Sequence, residues 1–535
     1  MGSVQSLTAV LQKYSNQGTG RARRVFLLCC LILILTTVAV TDSACAFDNS
    51  APSAPFITTT ASLSLAKAKY PLKVSTNNRY LVDQDNVPFL MIGDAPQTLI
   101  ANLSQAEAGA YMANRRTYGI NTLWINLLCN FSDGCNKNAT TFDGIAPFTV
   151  VGDLSTPNPA YFQRADEMIN IAANNGMVVL LNPIETSSWL DILRTNGTAK
   201  SFAYGQYLGN RYKNFPNIIW MHGNDFQSWR NATDDALVQA VARGIKSTDS
   251  SHIHTVELHY LTSGSLDDPS WAPLIELNAA YTYFPTYAQV LTEYNRLDFK
   301  PVLMVEANYE FEHNSNTDGG STKNLRHQEY WTMLSGATGQ VYGSAYTWRL
   351  EKGWQTNLDT PGVIQLSYMR NLFGSRKWFD LVPDQSHTVV TAGYDSISCR
   401  VGQFLAYIGK NPGFMARVLP RIRKYSSIGS ITTNTCVTAA RTSGGSFVIA
   451  YMPSIRRITV DMSKLTAIST ARWYDPTNGE YTDVSGSPFA NRGSRQFNPP
   501  GKNSAGDGDW VLVIEAPIAR ALTGTSRFSI SMVAD

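Results

Sequence analysis

Two carboxylates stand where a charge is hardest to explain as packing. Asp225 ends the stretch Asn217-Ile218-Ile219-Trp220-Met221-His222-Gly223-Asn224-Asp225, and Glu306 ends Pro301-Val302-Leu303-Met304-Val305-Glu306. A charge directly after a buried apolar strand is expensive unless it is paired or points into a solvated site. Two carboxyls converging on one ligand are what glycoside hydrolysis needs: one protonates the leaving oxygen, and the other attacks the anomeric carbon or activates water. The competing reading is that either residue caps a helix or pairs with an arginine. Asp94 and Glu185 also end apolar runs, and for them capping or pairing outweighs catalysis, with sugar binding as their functional reading. Asn126, His222, Asn224, Tyr309, Tyr342, Tyr346 and Trp348 lie at or near other run ends and are the candidates to line a sugar subsite, although some must be plain packing. The histidines are too scattered for a metal site or a catalytic triad, and no G-x-S-x-G elbow is present. No metal and no cofactor is implied.

The elements that would position these residues are legible in the pattern. Eight apolar runs recur at 88–93, 120–128, 177–182, 217–222, 253–258, 274–281, 301–306 and 339–346. Helix signals lie between them: a Ser104–Glu107 capping box, Asn158-Pro159 opening a helix that Gly176 ends, Thr233 ahead of 234–246, and Thr360-Pro361 ahead of 362–372. Continuous apolar strands alternating with helices argue for a parallel sheet covered on both faces. Eight units over this length fit an α/β fold of the (β/α)8 TIM-barrel type, whose active sites lie at the C-terminal ends of the strands. The fourth and seventh runs then face each other across the mouth. A doubly wound open sheet is the alternative, but no G-x-G-x-x-G follows any run. Beyond about residue 385, short alternating runs such as 447–451, 457–461, 471–474 and 510–515 lie between turns and predict a smaller antiparallel β-sandwich. The expected organisation is therefore an N-terminal signal or anchor over 1–46, a flexible lead-in over 47–68, a catalytic barrel over 69–385, a connecting region over 386–430 and a sandwich over 431–535.

Composition limits the partners. Of 535 residues, 44% are hydrophobic and 16% charged, which excludes a disordered or fibrous chain. The net charge of +3 gives no field for nucleic acid. Residues 25–40 form an apolar run preceded by Arg21, Arg23 and Arg24 and followed by Ala44-Cys45-Ala46, the layout of a secretory signal. The basic region is long, so an uncleaved type II anchor is the alternative, and only then is a membrane a partner. Met1-Gly2 begins a weak myristoylation match that competes with export. Cleavage after Ala46 leaves Cys129, Cys135, Cys399 and Cys436, which allow three pairings; proximity favours Cys129–Cys135 and Cys399–Cys436. Sequons at Asn102, Asn130, Asn138, Asn196 and Asn231 fit a glycosylating route. The expected protein is a secreted or membrane-anchored monomer that acts on a polysaccharide or oligosaccharide; the alternative is a non-catalytic carbohydrate-binding or adhesion protein on a degenerate barrel.

Several blocks resemble one family. Tyr204-Gly205-Gln206-Tyr207-Leu208-Gly209-Asn210-Arg211-Tyr212, Pro216-Asn217-Ile218-Ile219-Trp220 and Gly223-Asn224-Asp225 resemble the fourth-strand signature of apiosidase-like glycoside hydrolases, glycoside hydrolase family 140. Lys300-Pro301-Val302 with Glu306 and Tyr309-Glu310 resembles its seventh-strand signature. Arg326, Tyr330-Trp331, Gly336-Ala337-Thr338-Gly339, Tyr342-Gly343 and Trp348 resemble the elements that follow. Residues 471–481 resemble a β domain that accompanies this barrel and carries a collagen-binding label. The resemblance spans roughly 70–517. It implies a retaining mechanism on the clan-A plan, with Asp225 as acid/base and Glu306 as nucleophile, and apiose or another pentofuranose as the sugar. Asn224 stands where the family more often shows glycine, and Gly93-Asp94-Ala95-Pro96 lacks the aromatic that the family tends to place after the aspartate. Both departures bear on sugar specificity.

Overall fold

The eight apolar runs are eight parallel strands because they are apolar on both faces: one face fills a barrel, the other packs under helices. The computed structural model describes residues 68–129, 134–226, 231–260, 262–312, 319–410 and 431–517. A small antiparallel sheet, β1 (Lys73–Val74), β2 (Leu81–Val82) and β3 (Pro88–Phe89), precedes the barrel. The barrel strands are β4 (Met91–Asp94), β5 (Thr122–Asn126), β6 (Val178–Asn182), β7 (Ile218–Phe226), β8 (His254–Leu258), β10 (Asn278–Thr282), β11 (Val302–Glu306) and β12 (Gly339–Tyr342). A short β9 (Thr262–Gly264) pairs antiparallel with β10, and the order is β8-β7-β6-β5-β4-β12-β11-β10-β9. The ring is nearly closed. Between β8 and β10, Ser265 stands in for a ladder: its hydroxyl donates to Val256 O at 2.5 Å and accepts from Ala279 N at 2.8 Å.

Strand alternation sorts the side chains. Met91, Trp124, Leu180, Met221, Ala279, Leu303 and Val341 pack together in the interior, and Leu72, Leu81 and Phe89 from the first sheet join them. Ile92, Leu123, Ile125, Val179, Leu181, Trp220, Val256 and Leu258 form the opposite set, packed with helical residues.

The helices follow the sequence signals closely. They are α1 (Leu99–Asn102), α2 (Gln105–Thr117), α3 (Pro159–Asn174), α4 (Thr186–Tyr212), α5 (Ala232–Lys246), α6 (Thr286–Tyr294), α7 (Thr322–Leu334), α8 (Pro361–Gly374) and α9 (Ser396–Gly409). Ser104 and Glu107 form the expected capping box on α2. The cap of α5 is Asn231 rather than Thr233, with its side chain accepting from Thr233 N and Asp234 N. The spacing of Gly205 and Gly209 also has a cause. A Cβ on Gly205 would lie 2.2 Å from Val241 O, and one on Gly244 would lie 2.1 Å from Phe202 O, so α4 and α5 meet backbone to backbone.

Asp94 shows what alternation does to a polar strand end. Gly93 faces Val341 inside the barrel, so Asp94 turns out toward α2. There it takes Arg115 Nε at 2.5 Å and the Tyr111 hydroxyl, with both charged side chains fully enclosed. The sugar-binding reading of Asp94 is therefore corrected: this carboxylate ties β4 to α2. Asp94→Ala strands a buried guanidinium and is expected to cost about 3–5 kcal/mol in chemical denaturation, with activity per folded molecule preserved.

The second body is an antiparallel sandwich. One sheet runs β13 (Leu381–Pro383), β15 (Thr438–Thr442), β16 (Phe447–Met452), β21 (Trp510–Glu515), β18 (Thr470–Tyr474), β19 (Tyr481–Asp483); the other runs β14 (Val390–Ala392), β17 (Ile458–Asp461), β20 (Ser494–Phe497). Because β13 pairs with β15, the sandwich begins inside the stretch that sequence assigns to the barrel, and β14 and α9 lie inside the expected connector. Helix α7 docks the two bodies. Arg326 donates to both oxygens of Asp509 at 2.9 Å and to Asp507, Trp331 Nε1 donates to Cys436 O, and Tyr330 stacks on Tyr451 at 4.8 Å.

The disulfides pair as expected, Cys129–Cys135 and Cys399–Cys436. The sequons separate. Asn102 Nδ2 donates to Gly134 O and Arg349 O, and Asn196 Nδ2 donates to Gly152 O and Ile192 O, so both amides are structural and the glycan reading is corrected for them. Asn231 is exposed and caps through its oxygen, leaving its nitrogen compatible with a glycan, while Asn138 is half-buried in a left-handed conformation. Asn130 and the 25–40 segment lie outside the described residues. Among the described residues no helix is long and apolar enough to cross a membrane, and no cluster of side chains could hold a metal ion.

Candidate active site

Glu306 faces the mouth because β11 slips register. Ala280 pairs with Met304 but Tyr281 pairs with Glu306, so Val305 is the extra residue of a bulge. Without it, alternation from Leu303 would turn Glu306 toward the helices. Both carboxylate oxygens are held: the Tyr283 hydroxyl donates to Oε1 at 2.8 Å, and the Tyr309 hydroxyl donates to Oε2 at 3.0 Å. Tyr281 in turn donates to Tyr283 at 2.9 Å. From the other side, Gln97 Nε2 donates to Tyr309 at 3.2 Å, and Asn126 Nδ2 reaches Gln97 Oε1 at 3.3 Å. A hydrogen-bonded chain thus runs from β5 to Glu306. Burial pushes the Glu306 carboxyl up to about 8, the negative charge of Asp225 adds to this, and the tyrosine hydroxyls oppose it.

Asp225 is delivered by backbone strain. Gly223, Asn224 and Asp225 have φ of 95°, 90° and 53° in succession, at the point where β7 and β8 fall out of register. Asn and Asp tolerate such angles better than other residues with a Cβ, but the two positions still store about 1–3 kcal/mol each. The strain lifts Asp225 out of the ladder and exposes it, with its own N–H turned back to Glu257 Oε2 at 3.4 Å. Asn224 beside it is partly buried; its carbonyl accepts from Thr186 Oγ1 at 2.9 Å, while Oδ1 has no partner among the described residues.

Glu257 is one of the polar residues that close the fifth apolar run, but no role in the site was expected of it. It lies in β8, between outward-facing Val256 and Leu258, and therefore points inward; it is 1% exposed. Burial raises its carboxyl well above the usual range, and the charges of Glu306 and Asp225 raise it further, against the one bond from Asp225 N. The signal was present: a glutamate inside the run Ile253-His254-Thr255-Val256-Glu257-Leu258 carries the same desolvation penalty as Asp225 or Glu306. Tyr281, Tyr283 and Gln97 were likewise not assigned to the site.

Three further expectations are corrected. Glu185 accepts Ser187 N at 2.5 Å and Ser188 N at 2.8 Å, so it caps α4 instead of meeting a sugar. His222 alternates outward, stacks on His254 and bonds it at 3.0 Å; burial lowers it to about 3 and keeps it neutral, far from a sugar-binding role. Tyr342 also faces out, donating to Glu310 Oε2 at 2.5 Å; Glu310 in turn accepts Thr360 Oγ1 and Gly362 N and anchors the start of α8. Tyr309 and Asn126 do join the network on Glu306. Tyr346 is 43% exposed and packs at a tilt against Phe311, ring centres 5.1 Å apart, and Trp348 packs against the interior cluster with its Nε1 donating to Glu312 Oε1 at 2.6 Å. Phe311 and Tyr346 thus present a pair of exposed rings on the loops that follow β11 and β12.

Comparison with known proteins bears on the family and the fold. The family model described as "Apiosidase-like, catalytic domain" matches residues 75–380. A second model, whose description names a collagen-binding domain of a collagenase, matches residues 427–515. Among solved structures, one described as a glycoside hydrolase is 22% identical with a TM-score of 0.68, covering 84% of this chain and 97% of its own. A family 5 glycoside hydrolase from Bacteroides vulgatus is 20% identical with a TM-score of 0.66, covering 83% and 93%. At these identities the likeness speaks for the fold. No curated protein matches the chain.

Proposed function

Because the chain belongs to the apiosidase-like catalytic family and is a glycoside hydrolase acting on carbohydrate, we propose that it works with retention, using Glu306 as nucleophile and Asp225 as acid/base. The observation that carries this reading is Glu306 itself. A carboxylate at the end of the seventh barrel strand, aimed by a bulge and gripped on both oxygens by tyrosine hydroxyls, is a preorganised nucleophile. In the first step an oxygen of Glu306 forms a bond to the anomeric carbon, while the bond to the leaving oxygen breaks and Asp225 gives that oxygen its proton. In the second, water attacks the anomeric carbon, Asp225 takes a proton from it, and Glu306 leaves as carboxylate. Asp225 is exposed in the free protein; a bound sugar strips its water and favours the protonated form that the first step requires.

The proposed substrate is a branched plant-type or microbial polysaccharide, with D-apiose or a related pentofuranose as the sugar released. Asn224, beside the acid, supports contact with the sugar hydroxyl next to the anomeric carbon, and Tyr346 and Trp348 support stacking. The proposal includes export, on the 25–40 segment and the two disulfides.

The test is a polysaccharide panel read by mass, with Glu306→Gln as control, followed by proton NMR of the first product formed. Release by the wild type alone, with the anomeric configuration kept, is the expected result. An inverted product would remove the nucleophile role from Glu306. Binding to one polysaccharide without release by either protein would favour a barrel that only binds.

A further inference from the structure

The retaining scheme uses two carboxyls, yet the site contains three. Glu257 reaches the interior from β8, beneath the strained turn that carries Asp225 and within the field of Glu306. Its two oxygens differ. Oε2 accepts the Asp225 N–H, while Oε1 is buried and has no partner among the described residues. Glu306, by contrast, has donors on both oxygens, and Asp225 is open to water.

These surroundings allocate the charge. A site of low polarity does not hold three adjacent carboxylates, so protons go to the group with the fewest donors and the least water. That group is Glu257. The acidic groups around it are Asp225 from β7, Glu306 from β11 and Glu185 at the start of α4, with the hydroxyls of Tyr281 and Tyr309 nearby. His222 and His254 face the helices on the other side of the sheet.

We propose that Glu257 is a positioning residue that works as a neutral carboxylic acid: Oε2 braces the Asp225 amide in its left-handed conformation, and the proton on Oε1 keeps a third charge out of the site. The inference rests on the proposed roles of Asp225 and Glu306 and adds a condition to them. The pair functions because its neighbour is uncharged. Glutamine has the same shape, accepts the same N–H and carries no charge, so it is the substitution that separates the two halves of the role. Alanine removes the brace.

The test compares wild type, Glu257→Gln and Glu257→Ala in the whole chain. The first readout needs no substrate: the infrared carbonyl band of one protonated carboxylic acid at neutral pH should appear in the difference between the wild type and Glu257→Gln, over the band that the Asp225–Glu306 pair gives in both. Its absence from the wild-type-minus-variant spectrum would mean that Glu257 is ionised, and would overturn the proposal whether or not a substrate is known. The second is hydrogen exchange in peptide 218–226, expected to be unchanged in Glu257→Gln and faster in Glu257→Ala; equal protection in all three would remove the brace. The third uses the polysaccharide from the panel that the wild type degrades. Glu257→Gln should keep kcat/KM within about threefold with the same pH profile, while Glu257→Ala should lose on the order of 10²-fold, mainly in kcat. If Glu257→Gln falls as far as Glu306→Gln, or loses one limb of the pH profile, Glu257 is itself the proton donor and the positioning role is wrong. If the panel yields no turnover by the wild type, it is the proposed function that fails, and the first two readouts still decide the state of Glu257.

Discussion

Glu306→Gln is expected to lower kcat by on the order of 10⁴-fold or more while the protein stays folded and binds its polysaccharide. Glutamine fits the same space: its carbonyl oxygen accepts from one of Tyr283 and Tyr309, and its amide nitrogen donates to the hydroxyl oxygen of the other, which must turn. Its neutral amide lacks the negative charge that makes the carboxylate a nucleophile toward the anomeric carbon. Stability should change in a defined direction. The wild-type carboxyl is raised to about 8 in the fold against an ordinary value of 4.5. Between those values the folded state holds a proton that the unfolded state releases, so wild-type stability falls as pH rises through that window. Glu306→Gln takes one proton's share out of this slope, to which Glu257 also contributes, and denaturation curves across the window would show the difference. Normal turnover by the variant would end the nucleophile assignment outright.

Asp225→Ala is expected to slow glycosides with poor leaving groups by ~10²–10⁴-fold and those with good leaving groups far less. The asymmetry is diagnostic, because only a poor leaving group needs its oxygen protonated. Added azide should restore turnover of the good leaving groups by attacking the glycosyl-enzyme directly, giving a glycosyl azide without any base. A uniform loss across leaving groups would remove Asp225 from acid catalysis. The pH profile supplies a second check. The charge of Asp225 raises the proton affinity of Glu306, so the two act as a pair whose productive form holds one proton. In the wild type, kcat/KM should fall as pH rises through about 8, where the pair gives up that proton. Without Asp225 the like charge is gone, Glu306 ionises at lower pH, and the alkaline limb should vanish.

Much of this architecture is legible in the amino-acid sequence. The apolar runs, the capping box at Ser104 and the Asn158-Pro159 start are local features, fixed by residue type and period, and they correspond to β4–β8, β10–β12, α2 and α3. The positions of Asp225 and Glu306 after two apolar runs are equally plain, since a charge there has few cheap explanations. What composition and period alone determine about this chain is therefore the barrel, the sandwich and the two carboxylates that end the fourth and seventh strands.

Only the tertiary structure decided which polar strand ends face the mouth. Side chains alternate with a period of two, so one residue of register separates a sugar-facing group from a helix-facing one. Asp94, His222 and Tyr342 fell on the outer side and took partners there: Arg115, His254 and Glu310. Glu306 was returned to the interior by a bulge whose extra residue, Val305, looks like any other strand valine in sequence. Glu257 met the opposite fate. It sits within an apolar run rather than at its end, and only the convergence of β7, β8 and β11 shows that it shares a site with Asp225 and Glu306. Convergence of this kind is a long-range property, set by barrel closure, and no local pattern encodes it.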